Sequence, residues 1–122
     1  LFHRILHFRV VMYQQFTDEK GHVSITLCAP IHFFTHKGWF VVPSKFRLDE
    51  DIDRFTKRGY VTEFILHRFF YRTQRVKKDF ADKLIYELMN EKGLKVRSKL
   101  FYAKSKILGW IEWKKNKNLL AK

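Results

Sequence analysis

The sequence predicts an α+β domain in which an N-terminal antiparallel β meander packs with three C-terminal α-helices. Apolar residues alternate with polar ones in the first third of the chain and recur at helical spacing from residue 60 onwards. The 122 residues include 13 phenylalanines and are 46% apolar, so the chain can form a real core. We expect a single domain over 1–122, with the meander at 1–43, an acidic loop at 44–59, helices at 60–117 and a tail at 118–122.

Strand-forming residues dominate the first third. Residues 5–16 are rich in β-branched and aromatic side chains, and residues 22–28 alternate apolar and polar types, so both segments are predicted strands. Gly21 is expected to take a positive φ in the turn between them. Pro30 predicts a break after the second strand. Another antiparallel pair is predicted at 31–34 and 39–42, around His36-Lys37-Gly38.

Three helices are predicted next, at about 60–72, 76–92 and 97–114, with Gly93 ending the second in a left-handed conformation. In the third helix the apolar residues form one arc, with basic residues on both of its flanks. The arc is Leu100, Ala103, Ile107, Trp110 and Ile111; one flank is Lys99, Lys106 and Lys117, and the other is Arg97, Lys104 and Lys115. Such a helix is either well buried or presents an exposed apolar strip to a partner.

Positive charge is concentrated at the C-terminal end. The net charge is +13, and residues 95–122 hold nine basic side chains against one acidic. This distribution indicates a polyanionic partner, although a solvated lysine-rich surface is the alternative interpretation. The predicted binding residues are Arg68, Arg72, Arg75, Lys77, Lys78, Arg97, Lys99, Lys104, Lys106, Lys114 and Lys115. Phe70 and Tyr71 lie among the first of these, where an exposed ring would stack on a base.

Several residues between Trp39 and Trp113 follow the motif order of a known family. They are Val42-Pro43, Phe46, Asp49, Arg54, Gly59, His67, Tyr71, Ala81-Asp82, Met89, Gly109 and Trp113. On these residues the chain resembles domain of unknown function family 1353, a small bacterial and phage family. The resemblance implies a shared scaffold and a prophage origin.

The resemblance also implies a candidate catalytic centre at Asp49, His67 and Asp82. His67 would act there as a general base or metal ligand, with the two carboxylates orienting it or sharing the metal. The chain departs from the family pattern at Arg68, which replaces an aspartate and would repel a divalent cation. Judged by its aromatic neighbours alone, His67 is more typical of a hydrogen-bonded core residue.

No cofactor and no metal site are predicted. Cys28 has no cysteine or histidine partner at zinc spacing, and the carboxylates of residues 49–53 lack the glycine and glutamate of a calcium loop. Cys28 is expected to be a small core residue, and a lone cysteine fits a reducing, cytoplasmic location. No segment approaches the ~20 apolar residues of a membrane span.

The leading hypothesis is therefore a non-enzymatic, prophage-derived protein that binds nucleic acid or an acidic protein through residues 68–78 and 95–117. An active or decayed hydrolase-like, metal-dependent site at Asp49, His67 and Asp82 is the first alternative. The second is a phage structural or host-takeover protein that self-associates through its last helix.

Overall fold

The computed structural model describes residues 4–6, 12–35 and 38–121. Antiparallel strands precede helices along the chain, which confirms the predicted α+β class. The chain divides into two compact units, Leu1–Val61 and Thr62–Lys122.

Six described strands form two three-stranded antiparallel sheets in the first unit. The strands are β1 (Arg4–Leu6), β2 (Tyr13–Thr17), β3 (Val23–Leu27), β4 (Ile31–Thr35), β5 (Gly38–Val42) and β6 (Arg47–Leu48). One sheet has the order β1-β4-β5 and the other β2-β3-β6. Strands β2 and β3 form one hairpin, and β4 and β5 form the other. The third strand of each sheet is not adjacent to its hairpin in the sequence: β1, which precedes β2, pairs with β4, and β6, which follows β5, pairs with β3.

The first hairpin turns where the sequence predicted it. Asp18 Oδ1 accepts hydrogen bonds from the backbone N–H groups of Lys20 and His22, each at 2.9 Å. Gly21 adopts a φ of 83°, which glycine accommodates without a Cβ clash. The predicted strand over 5–16 corresponds to β1 and β2, with residues 7–11 between them lying outside the described residues. His36 and Lys37 of the second predicted turn also lie outside them.

The alternation predicted for β3 is reflected in part in its burial: Ile25 and Leu27 are fully buried, but Ser24, the residue before Ile25, is buried as well. The expectation for Cys28 was wrong, because its side chain is exposed. β3 ends at Leu27, and Cys28 lies in the bend that leads to Pro30, so it no longer follows the inward and outward alternation of the strand.

The predicted acidic loop at 44–59 instead contains regular structure, namely β6 and helix α1 (Asp53–Lys57). Leu48 of β6 pairs with Ile25 of β3 and is buried. Ile52 and Phe55, three residues apart, are also buried and place α1. Apolar anchors between the acidic residues therefore fold a segment whose composition alone suggested a loop.

The second unit consists of three helices, α2 from Val61 to Thr73, α3 (Lys78–Glu91) and α4 (Lys95–Leu120); only Val61 belongs to the first unit. Gly93 has a φ of 83° and donates its N–H to Asn90 O (2.9 Å), while Leu94 N–H donates to Met89 O (3.0 Å). These two bonds form a Schellman motif, which confirms the predicted end of α3.

Helix α4 is longer than the predicted 97–114 and extends through most of the predicted tail at 118–122. The sequence after residue 114 contains neither glycine nor proline, so nothing in it stops the helix. Across the described residues, no helix has both the length and the apolar character needed to cross a bilayer.

Candidate functional site

Five polar side chains from all three helices of the second unit meet in its interior. We call them the buried cluster; it consists of His67 and Tyr71 of α2, Lys78 and Asp82 of α3, and Ser105 of α4. Each pair from α2 and α3 is four residues apart, and this spacing places both of its members on one helix face. The helical period thus aims two polar side chains from α2 and two from α3 at the same point, where Ser105 of α4 joins them.

Asp82 is the centre of the buried cluster. Its Oδ1 accepts hydrogen bonds from Tyr71 OH at 2.7 Å and from His67 Nε2 at 2.9 Å. Its Oδ2 accepts from Lys78 Nζ at 2.7 Å. Lys78 Nζ also donates to the backbone carbonyl of Ser105 at 2.9 Å, which connects α3 to α4. Because an ionised carboxylate only accepts, the proton of each of these bonds comes from the partner.

Burial and hydrogen bonding fix the protonation of the cluster. Burial lowers the pKa of His67 and outweighs the opposite effect of Asp82, so the imidazole is held neutral. Burial also raises the pKa of Tyr71, and the hydrogen bond to Asp82 adds to the rise. Burial acts to raise the pKa of Asp82, but the hydrogen bonds from His67, Lys78 and Tyr71 outweigh it, and the net shift is downward. A neutral histidine and a protonated tyrosine thus face an aspartate carboxylate.

This geometry is that of a closed structural network. Ser105 Oγ lies 3.5 Å from His67 Nε2, the same nitrogen that donates to Asp82. A nucleophile relay requires serine and aspartate on opposite nitrogens of the ring. The side chains of His67 and Asp82 are only 7% and 1% exposed, which leaves little room for a substrate. The contacts therefore favour the interpretation of His67 as a hydrogen-bonded core residue.

The third candidate catalytic residue, Asp49, belongs to the first unit. Its Oδ1 accepts a hydrogen bond from Arg47 Nε at 3.0 Å, and both side chains are exposed. Of the three candidates, His67 and Asp82 are in direct contact. Among the residues described by the structure, no group of three or more histidine, cysteine, aspartate or glutamate side chains is arranged to hold a metal ion.

Two predicted binding residues instead have structural roles. Lys78 is 4% exposed, and its ammonium is held by Asp82 inside the buried cluster. Arg68 is half-buried and forms an ion pair with Glu112 of α4, and its guanidinium lies 5.0 Å from the centre of the Phe64 ring. Both side chains are therefore used in joining helices.

The remaining basic residues of the segment 68–78 lie at the surface. The side chains of Arg72, Arg75 and Lys77 are exposed, and the Arg75 guanidinium lies 5.9 Å from the centre of the Phe69 ring. Phe70 and Tyr71 are fully buried, so the predicted stacking of a base on either ring was wrong. Burial of the Phe70 and Tyr71 rings in the interior of the unit is favoured by the hydrophobic effect.

The outward face of α4 carries a continuous apolar surface. We call it the outer stripe; it consists of Val96, Leu100, Ala103, Ile107, Trp110 and Ile111. Apart from Ala103, which is also exposed, these side chains are between 54% and 74% exposed. The two rows of basic residues predicted beside this arc are exposed as well, and we call them the basic flanks: Arg97, Lys104 and Lys115 on one side, Lys99, Lys106 and Lys117 on the other. Lys114 is exposed within the same face.

The inward face of α4 is closely packed and combines small polar residues with aromatic rings. The ring centre of Phe101 lies 4.9 Å from that of His67, that of Tyr102 lies 5.0 Å from that of Tyr86, and that of Trp113 lies 5.1 Å from that of Tyr71. The two buried residues of α4 are Ser98 and Ser105, and Ser98 Oγ donates to Asn90 Oδ1 at 2.7 Å. Gly109 lies against the buried cluster, where an added Cβ would overlap the Tyr71 hydroxyl. Gln74 Nε2 donates to the Trp113 carbonyl at 2.8 Å. Contacts along most of its length thus hold α4 with the outer stripe facing solvent.

Some members of this site carry a signal that the sequence analysis did not use. The i, i+4 spacing of Lys78 and Asp82 is typical of an ion pair within a helix. Glu112 is the single acidic residue in the segment 95–122, and an isolated acid in a basic segment indicates a structural partner. No comparable signal marks Ser105, whose backbone carbonyl makes the contact.

Comparison of the chain with protein-family models, with curated proteins and with solved structures finds no match. The resemblance to domain of unknown function family 1353 therefore stays a prediction, based on the order of the matching residues alone.

Proposed function

We propose that this protein is a non-enzymatic binding protein that captures an acidic macromolecule on the outward face of α4. The observation that carries this proposal is the exposed outer stripe between two rows of basic side chains. Single exposed apolar residues are common on protein surfaces, but a contiguous apolar strip with a polar rim is typical of an interaction site.

The charge of this face defines the class of partner. Seven basic side chains of α4 lie in or beside the outer stripe, from Arg97 to Lys117. The one acidic side chain of the helix, Glu112, is paired with Arg68 and so does not neutralise them. A field of this sign attracts anions and accelerates their association. An acidic protein or a nucleic acid satisfies this condition.

The rigidity of α4 also supports a binding role. Its inward face is fixed by the Lys78–Ser105, Ser98–Asn90 and Gln74–Trp113 hydrogen bonds. A preorganised surface loses less conformational entropy when a partner binds than a flexible segment does. The buried cluster therefore contributes to function indirectly, because it positions the binding helix. The hydrolase-like alternative has less support, because its histidine and Asp82 are enclosed within that cluster.

The test is a titration of labelled polyglutamate and of a labelled single-stranded oligonucleotide at two salt concentrations. One variant replaces Lys99, Lys104 and Lys106 with glutamine. The matched control replaces the exposed lysines Lys20, Lys57 and Lys83, so both variants lose the same net charge. We expect salt-dependent binding of at least one probe, weakened about tenfold in the α4 variant and little changed in the control.

Two results would contradict the proposal. One is the absence of binding to either probe at low salt. The other is an equal loss of affinity in both triple variants, which would assign binding to net charge rather than to α4.

A further inference from the structure

We infer that the partner seated on the outer stripe is an acidic amphipathic α-helix, which lies along α4 in the manner of a coiled coil. This inference rests on the proposed function and names the kind of acidic partner. It is carried by the spacing of the outer stripe, by the positions of the basic flanks and by the length of the exposed face.

The outer stripe has the spacing of a coiled-coil seam. Val96, Leu100, Ala103, Ile107 and Trp110 follow one another at alternating intervals of four and three residues. Alternation of this kind keeps apolar side chains on one narrow seam, where knobs from a second helix fit into holes of the first. All five residues are exposed, so the seam is available on this chain.

The basic flanks occupy the positions that select a coiled-coil partner. Lys99 and Lys106 each precede an apolar seam residue by one position, while Arg97 and Lys104 each follow one. These are the g and e positions of the heptad, whose charges face the charges of the partner helix. A second copy of α4, parallel or antiparallel, would bring basic residues opposite basic residues. A helix with glutamate or aspartate at those positions would form pairs instead.

The length of the seam sets the size of the partner. The segment from Val96 to Trp110 covers four helical turns, or about 21 Å along the axis. A partner helix of about 15 residues therefore matches it. Nucleic acid would satisfy the basic flanks but would leave the aliphatic side chains of the seam without an apolar counterpart, since phosphate contacts dominate its affinity.

The narrowness of the apolar area favours a helix over a bilayer as the partner. Lys78 Nζ lies 4.8 Å from the centre of the Trp110 ring, so the indole contacts its own unit, and at 54% exposure it still presents surface to the seam. Lys114 occupies the next position of the seam and ends it, which restricts the apolar area to a strip that fits one helix.

The experiment uses three synthetic three-heptad peptides with the full-length protein. The first has leucine at a and d and glutamate at e and g. The second keeps the glutamates but has serine at a and d, and the third has leucine at a and d with lysine at e and g. We expect the first peptide to bind at least tenfold more tightly than the second and the third, measured by fluorescence anisotropy.

Protein variants locate the site. Leu100→Ser combined with Ile107→Ser should weaken binding of the first peptide at least tenfold, while leaving polyglutamate affinity unchanged. Leu119→Ser combined with Leu120→Ser is the matched control, because it removes two exposed leucines from the same helix outside the outer stripe. We expect this control to bind the first peptide within twofold of the unaltered protein. Circular dichroism of both variants confirms that α4 is retained.

The outcomes separate this inference from the proposed function. If polyglutamate binds but the first peptide binds no more tightly than the serine peptide, the helical partner is wrong and the acidic-partner proposal stands. If no acidic probe binds, both are wrong. A dimeric mass in sedimentation that Leu100→Ser with Ile107→Ser abolishes would assign the seam to a second copy. Binding of phosphatidylserine vesicles that the same variant abolishes, with no binding of the first peptide, would assign it to a membrane.

Discussion

Gly109 is the residue of α4 whose replacement should reveal how closely the helix approaches the buried cluster. In Gly109→Ala the new Cβ overlaps the Tyr71 hydroxyl and lies 3.2 Å from Lys78 Cε. Tyr71 cannot rotate away freely, because its ring is fully buried and its hydroxyl is bonded to Asp82 at 2.7 Å. Either the hydrogen bond or the helix packing must therefore give way.

The expected loss in the free energy of unfolding follows from two alternative costs and one opposing gain. A hydrogen bond to a charged group contributes about 1.5–3 kcal/mol. Overpacking a closely packed site costs about 1–3 kcal/mol, and the two costs are alternatives because breaking the bond relieves the overlap. Alanine in place of glycine favours a helix interior by about 1 kcal/mol. We therefore expect Gly109→Ala to lower the free energy of unfolding by up to about 2 kcal/mol.

Urea denaturation followed by tryptophan fluorescence measures this difference. A Trp39→Phe background removes the one tryptophan of the first unit, so Trp110 and Trp113 report on the second unit alone. Ala103→Gly is the matched control. Its position on α4 is exposed, so it measures helix propensity without an overlap.

A double-mutant cycle with Tyr71→Phe identifies the overlapping atom. Without the hydroxyl, the alanine at position 109 should lower stability much less, because the severe overlap is gone and only the close approach to the Lys78 side chain opposes the gain in helix propensity. The reasoning is refuted if Gly109→Ala stabilises the unaltered protein by as much as Ala103→Gly destabilises it. It is equally refuted if Tyr71→Phe leaves the cost of the alanine unchanged.

Three further predictions test the contacts of the second unit by urea denaturation. His67 is neutral in the folded state and its pKa is lowered, so the unfolded state binds more protons as the pH falls below about 6.5 and stability is lost there. In His67→Gln the free energy of unfolding should therefore fall less steeply with decreasing pH, by up to about 1.4 kcal/mol per pH unit. An identical dependence of the free energy of unfolding on pH in both proteins would contradict this. Lys78→Met should lower the free energy of unfolding by about 3 kcal/mol or more, because it leaves the buried Asp82 carboxylate without its cation. The control Lys77→Met, at the exposed neighbouring position, should change it by less than about 0.5 kcal/mol. Equal losses in the two variants would argue against the buried ion pair. Arg68→Ala and Glu112→Ala should show a coupling free energy of up to about 1 kcal/mol in a double-mutant cycle, and strictly additive effects would mean that the pair contributes nothing.

The sequence predicted the features of the fold that depend on local interactions. Helical periodicity located α2 and α3 to within two residues, and Gly93 marked the end of α3 because a left-handed residue is needed there. Helix α1 was missed because its five residues are too few to show a period, and its burial depends on Ile52 and Phe55. Short elements of this kind are decided by packing rather than by propensity.

The orientation of α4 could not be predicted for a different reason. Helix α4 carries apolar residues around much of its circumference, so hydrophobicity alone does not select the side that faces inward. The inward side carries Ser98, Ser105 and Gly109, whose small size lets α4 lie close to the buried cluster. The face that is buried is therefore determined by polar and aromatic partners on other helices, and these partners are distant in the sequence. The pairing of His67 with Asp82 was expected from the family resemblance, whereas its enclosure depends on the packed helices.

The interleaved strands of the first unit have a consequence for how that unit can be divided. β1 pairs with β4, so a break anywhere between Leu6 and Ile31 separates paired strands; β3 pairs with β6, so a break between Leu27 and Arg47 does the same. No fragment that ends between Leu6 and Arg47 therefore retains both sheets intact. Each hairpin can close locally within microseconds. Pairing of the third strand in each sheet closes a longer loop of the chain, so it loses more conformational entropy. A fragment boundary placed after β6, by contrast, keeps all six described strands on one side of the cut.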